Sequence, residues 1–193
     1  MSGPRWSWAK QLSALIKGRY TFPMNVDHYQ LSVQVGAALK ERGARLTLAE
    51  SCTGGGVAQT ITAVPGSSGW FGYGFVTYAN SAKHQLLGVS EKILQSHGAV
   101  SEAVVVQMAS GAVKIASADF AVAISGIAGP GGGTLDKPVG TVWFAWAGPD
   151  GVRAQNYLLA GNRSEIREQA ITISLQELLH RITGCNTVQP YSY

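Results

Sequence analysis

Several stretches of this sequence carry residue types at spacings that chemistry can use. In Ala49-Glu50-Ser51-Cys52-Thr53-Gly54-Gly55-Gly56, a serine stands where a short alternating run, 45 to 49, gives way to glycines and then to a helix-like stretch, 57 to 62. A serine in a strand-to-helix turn sits beside unpaired backbone N–H groups and the positive end of a helix. That setting suits a nucleophile whose substrate develops an oxyanion. Backbone donors near Cys52, Thr53 and Gly54 would stabilise the tetrahedral intermediate, while the glycines let substrate approach closely. The plainer reading is a glycine-rich turn with serine as a cap. Cys52 has no paired histidine at any telling spacing and reads as a small buried residue.

A serine needs a base, and Tyr78-Ala79-Asn80-Ser81-Ala82-Lys83 offers one. With Tyr78 ending a strand and Asn80 opening a helix, Lys83 comes one turn in, over the same sheet edge as Ser51. A lysine desolvated beside an aromatic wall of Trp70, Phe71 and Phe75 falls in pKa far enough to accept a proton, with Tyr78 relaying or orienting it. The plainer reading is a solvated helix lysine. The spacing is not Tyr-x-x-x-Lys and no G-x-G-x-x-G follows the first strand, so hydride transfer has no support.

A third stretch, 126 to 133 (GIAGPGGG), with Gly129 at its centre, follows a strand and could cradle a phosphate with backbone amides. It lacks the Lys-Ser/Thr ending of a nucleotide-triphosphate loop. Asn162-Arg163-Ser164 places a guanidinium at a helix start, a partner for phosphate or carboxylate, although a surface arginine is the plainer reading. His28, His84, His97 and His180 show no metal-binding spacing, and no metal or cofactor is expected.

The elements that must position these residues follow from pattern. A helix is expected over 26 to 42, capped by Asn25 and stopped at Gly43; strands over 45 to 49, 71 to 78 and 120 to 125; and a helical turn over 80 to 87. Ser90 and Ser101 read as caps of two helices, the second over 102 to 117. A hairpin then joins 140–147 to 152–159, and Asn162 caps a last helix to about 182. Helices alternating with strands early and a hairpin late point to a three-layer α/β/α domain with a mixed sheet.

Composition narrows the function classes. The chain has 193 residues, 46% of them hydrophobic and 13% charged, the profile of a globular domain with a full core. Its net charge of +4 comes from the first 23 residues, which hold four basic groups and no acid, whereas 24–193 carry 11 basic and 11 acidic groups. A neutral body argues against nucleic-acid binding. Two cysteines far apart fit a reducing, cytoplasmic setting. No run approaches a membrane span. Residues 1–23 read as an N-terminal extension, 24–185 as one domain and 186–193 as a tail.

The ordered set AESCTGG, GSSGWF, GFVTYANSAK, GAVSEAVV, SGIAGPGGG, KPVGTVWFA and GNRxxIRxQA resembles the CinA C-terminal domain family, the nicotinamide-nucleotide amidohydrolases, over about 27–182. The resemblance implies a mixed, mostly parallel five-stranded sheet, a dimer, and hydrolysis of the carboxamide of nicotinamide mononucleotide in pyridine nucleotide salvage. It places the family's serine, tyrosine and lysine on Ser51, Tyr78 and Lys83. Thr53, Gly54 and Gly55 would hold the oxyanion or ribose side, and Gly129 with Arg163 the phosphate of a small nucleotide substrate. Two departures stand out: Gly72-Tyr73 where many relatives carry a charged pair, and Asn162 for a frequent aspartate. The rival expectation is a non-catalytic or differently specific nucleotide-binding paralogue.

Overall fold

The computed structural model describes residues 27–184. The expectations for 1–23, for the Asn25 cap and for 186–193 lie outside the described residues. In chain order the elements are α1 (His28–Glu41), β1 (Leu46–Glu50), α2 (Gly56–Thr62), a 3₁₀ turn (Ser67–Gly69), β2 (Phe71–Val76), α3 (Asn80–Leu87), α4 (Glu91–His97), α5 (Glu102–Ala116), β3 (Phe120–Gly126), β4 (Thr141–Gly148), β5 (Gly151–Leu158) and α6 (Arg163–Thr183). Asp27 is the N-cap of α1, its carboxylate accepting the Gln30 amide at 3.1 Å. Ser90 and Ser101 do stand at the N-cap positions of α4 and α5, yet neither side chain caps; Ser101 Oγ donates instead to the Gly98 carbonyl at 2.8 Å. Asn162 caps α6 in full, accepting the Ser164 and Glu165 amides while Glu165 accepts the Asn162 amide.

The strands form one five-stranded sheet in the order β2-β1-β3-β4-β5. β2, β1 and β3 are parallel, and β4 alone runs against the rest, pairing antiparallel with both β3 and β5. Central β1 is buried throughout and β3 nearly so, whereas edge strands β2 and β5 are largely exposed. Continuous apolar runs are what strands covered on both faces require.

The two faces are built from different residues. Leu46, Leu48, Val122 and Ile124 pack with Val35, Leu39, Ile61 and Leu178 of α1, α2 and α6. On the other face Ala49, Ala121, Ala123 and Ala145 meet Val104, Val105 and Met108 of α5. Each fully buried aliphatic side chain contributes roughly 1.5–3 kcal/mol. This is the three-layer α/β/α arrangement. Small residues on the second face let α5 lie close, and a Cβ on Gly111 of α5 would fall on the carbonyl oxygen of Leu87 at the end of α3. That contact sets the height of α3, which carries Lys83.

Candidate active site

Ser51 follows the last residue of β1, and its amide still donates to the Ile124 carbonyl of β3 at 3.0 Å. The serine is thus held at the carboxyl ends of the central parallel strands, where open α/β sheets place their chemistry. Lys83, one turn into α3, is only 1% exposed. Its Nζ lies 3.0 Å from Ser51 Oγ, 2.7 Å from the Thr77 carbonyl oxygen and 3.3 Å from that of Tyr78. Burial pushes its pKa below the ordinary lysine value, against a smaller opposing pull from Cys52. A neutral amine has two N–H donors and one lone pair. In that form Lys83 would give its donors to the two carbonyls and keep the lone pair for the Ser51 hydroxyl.

The expected aromatic wall does not form as one surface. Leu46 pairs with Phe71 but Thr47 pairs with Tyr73, so Gly72 is an extra residue in β2, a bulge that reverses the alternation of faces. Phe71 joins Trp70 in the core under α1 and α6, while Phe75 packs on the α5 side. Gly72 and Tyr73 lie near the start of β2. Tyr73 pairs with Thr47, four residues before Ser51 and so about 13 Å along the strand from it. The departure from the charged pair therefore falls away from the serine.

The glycine turn is also used differently from the expectation. The Glu50 carboxylate, 1% exposed, accepts the Gly55 amide at 3.0 Å, Val57 at 3.2 Å and Ala58 at 2.8 Å. The Gly54 amide donates to the Ser51 carbonyl at 3.1 Å. The amides that open α2 are thus occupied by the protein itself, and its positive end is matched by an internal anion. Among the described residues, the Cys52 and Thr53 amides have no backbone acceptor. Thr53 is fully buried, its Oγ1 has no hydrogen-bond partner among the described residues, and its carbonyl accepts from Arg167 Nη2 at 2.8 Å. Burial pushes the Cys52 thiol up to about 12, with the Glu50 charge adding to the rise, so this thiol is a poor nucleophile.

Tyr78 leaves the sheet just past β2, and it is 62% exposed. Its backbone carbonyl faces Lys83, but its hydroxyl accepts from Arg163 Nη2 at 3.1 Å. Among the described residues that hydroxyl makes no hydrogen bond to Ser51 or Lys83. Arg163 Nη1 donates to the Gly129 carbonyl at 2.9 Å, which joins Arg163 to the glycine loop. Gly129 has φ +81, and a Cβ there would press on Val139 Cγ1, so the loop needs glycine at this position. Ser51 and Lys83 are therefore brought together, and Tyr78, Gly129 and Arg163 form a second group joined to the first through the Tyr78 backbone.

Three contributors were not singled out from sequence. Glu50 was legible as an acid directly before a glycine turn. Arg167 stands four residues after Arg163 on α6, the spacing of one helix face. The Thr77 carbonyl is a backbone group and leaves no trace in residue type. A separate cavity of about 330 Å³ opens among α1, α2 and α6, lined in part by His28, Gln59, Thr60, Arg167 and Glu168. It does not include Ser51 or Lys83. Among the described residues, no three His, Cys, Asp or Glu side chains are grouped as metal ligands would be, and no helix is long and apolar enough to cross a membrane.

A buried serine–lysine pair at the carboxyl edge of a three-layer α/β/α domain defines the kind of site this protein holds. The chain belongs to the CinA C-terminal domain family, whose model matches residues 28–182. It is 57% identical over 152 residues to a nicotinamide-nucleotide amidohydrolase PncC of Enterobacter agglomerans, covering 78% of this chain and 93% of that one. With the PncC of Escherichia coli K12 it shares 59% over 150 residues, covering 77% and 91%. A crystal structure of a CinA-superfamily protein from Klebsiella pneumoniae superimposes with a TM-score of 0.79 at 38% identity, covering 82% of this chain and 99% of that one.

Proposed function

We propose that this protein hydrolyses the carboxamide of nicotinamide mononucleotide to nicotinate mononucleotide and ammonia, with Ser51 as nucleophile and Lys83 as base. The activity is the one its PncC relatives are named for. The observation that carries the mechanism is the 3.0 Å approach of the buried Lys83 amine to Ser51 Oγ. Neutral Lys83 takes the serine proton as Oγ attacks the amide carbon, and the carbonyl oxygen becomes an oxyanion within reach of the Cys52 and Thr53 amides. Collapse breaks the C–N bond, and the Lys83 ammonium returns its proton to the leaving nitrogen, which departs as ammonia. Water, losing a proton to Lys83, then cleaves the acyl-serine ester, and that proton returns to Ser51. Arg163 and the Gly129 loop take the phosphate.

A reducing, cytoplasmic setting goes with this reading and accords with the free, buried Cys52 thiol. A homodimer is the assembly expected with it, to be checked by light scattering. The deciding experiment measures ammonia release from nicotinamide mononucleotide by the purified chain, with Ser51→Ala as the paired control. Release that disappears in the variant supports the proposal. Equal release by both overturns the serine mechanism, and nucleotide binding without release identifies a non-catalytic paralogue.

A further inference from the structure

The anion-recognising part of the site has few donors to choose from. The amides at the start of α2 are held by Glu50, and those of Ser164 and Glu165 at the start of α6 by Asn162. Arg167 is turned to the Thr53 carbonyl and lines the separate cavity among α1, α2 and α6, and Lys83 is enclosed by Ser51 and two carbonyls. Arg163 is exposed at the first position of α6, and its guanidinium has five N–H donors. One goes to Gly129 and one to Tyr78, leaving three for a ligand.

A guanidinium on a flexible stem loses rotamer freedom when it binds, and a fork already held by two acceptors loses less. The two acceptors here come from separate parts of the chain, the glycine loop and the turn after β2. We infer that the Tyr78 hydroxyl is a positioning group for Arg163, a determinant of specificity for the phosphorylated substrate and not a relay in proton transfer. Lys83 needs no help from that hydroxyl, because the Tyr78 backbone carbonyl, which any residue supplies, already faces its amine. One residue thereby serves both halves of the site: its main chain steadies the base, and its phenol aims the cation.

This inference rests on the amidohydrolase reading above, and the experiment separates the two. Tyr78→Phe keeps the ring and the backbone and removes only the hydroxyl. Its steady-state constants are compared with wild type on nicotinamide mononucleotide and on nicotinamide riboside, which lacks the phosphate, and dissociation constants for both are measured by calorimetry in a Ser51→Ala background. The expected result is a rise in KM and Kd for the mononucleotide of about five- to tenfold, the worth of one hydrogen bond, with kcat within about twofold. Riboside constants and the acid limb of the pH profile stay put. A fall in kcat of about a hundredfold on both substrates, or a shifted acid limb, places the phenol in proton transfer and overturns the inference. Unchanged mononucleotide affinity overturns it too. If wild type turns over neither compound, the amidohydrolase reading fails, and the calorimetric comparison still decides the role of Tyr78; absence of mononucleotide binding ends both.

Discussion

Gly111, in the middle of α5, faces the Leu87 carbonyl so closely that any Cβ would occupy the position of that oxygen. Leu87 ends the helix that carries Lys83, so the lack of a side chain at 111 lets the end of that helix lie against α5.

Replacing that glycine is accordingly expected to act on activity through geometry. In an open helix Gly→Ala stabilises by up to about 1 kcal/mol, whereas here alanine must push α3 away from α5. Gly111→Ala should lower the urea midpoint and reduce kcat more than it raises KM. A variant as stable and active as wild type would show that α3 shifts without moving Lys83 from Ser51.

As the proposed base, Lys83 should make the reaction pH-dependent in a defined direction. Its folded pKa lies below the ordinary lysine value because of burial, and the base form is the neutral amine. The rate should therefore rise with pH through that lowered pKa, giving an acid limb below the usual lysine range. Stability follows the same sign. Between the lowered and the ordinary value the unfolded chain binds more protons, so stability rises with pH across that window, and the cost of burying the charge is present in full below it. Urea midpoints of Lys83→Met should vary less across the window than those of wild type, and its kcat should fall by about 10²–10⁴.

Cys52 adjoins the serine but should be silent. With its thiol raised to about 12, only about one in 10⁴ molecules carries the thiolate at pH 8. In a Cys185→Ser background, treatment with iodoacetamide at that pH should leave turnover intact, and Cys52 should become labelled only after denaturant is added. Rapid inactivation of the folded chain would make the cysteine, not the serine, the reactive group.

Glu50 offers a test of the turn itself. Hydrogen bonds to a charged acceptor contribute about 1.5–3 kcal/mol each, and this carboxylate receives three amides. Glu50→Gln should therefore lower stability by several kcal/mol, seen as a reduced urea midpoint, because a carboxamide brings a donor toward those amides. An unchanged midpoint would mean that water replaces the lost acceptor.

The Ser51–Lys83 pair could be read from sequence because it rests on local features: a serine at the end of an alternating run, and a lysine one turn into a helix after a strand. The element order was legible for the same reason. What escaped depended on events beyond the local pattern. One added residue at Gly72 turned Phe71 and Phe75 to opposite faces and dissolved the expected wall. The direction of the Tyr78 phenol depends on Arg163, 85 residues later in the chain. The Gly55 amide, expected to face substrate, is taken because the acid beside Ser51 folds back onto it, a choice of rotamer that residue spacing does not record.

That internal use of the α2 amides has a consequence for how the protein can change over time. Main-chain donors are the same whatever residue carries them, so a cradle made of backbone cannot be retuned by point mutation. In the proposed site the anion-facing contacts fall to a side chain at the outer rim, while the turn after the proposed nucleophile is held by its own glutamate. Substitutions at position 163 should thus redirect the protein toward pyridine amides with a different or absent anionic group and leave the serine–lysine chemistry standing, making the rim the evolvable part of the site and the turn the fixed one.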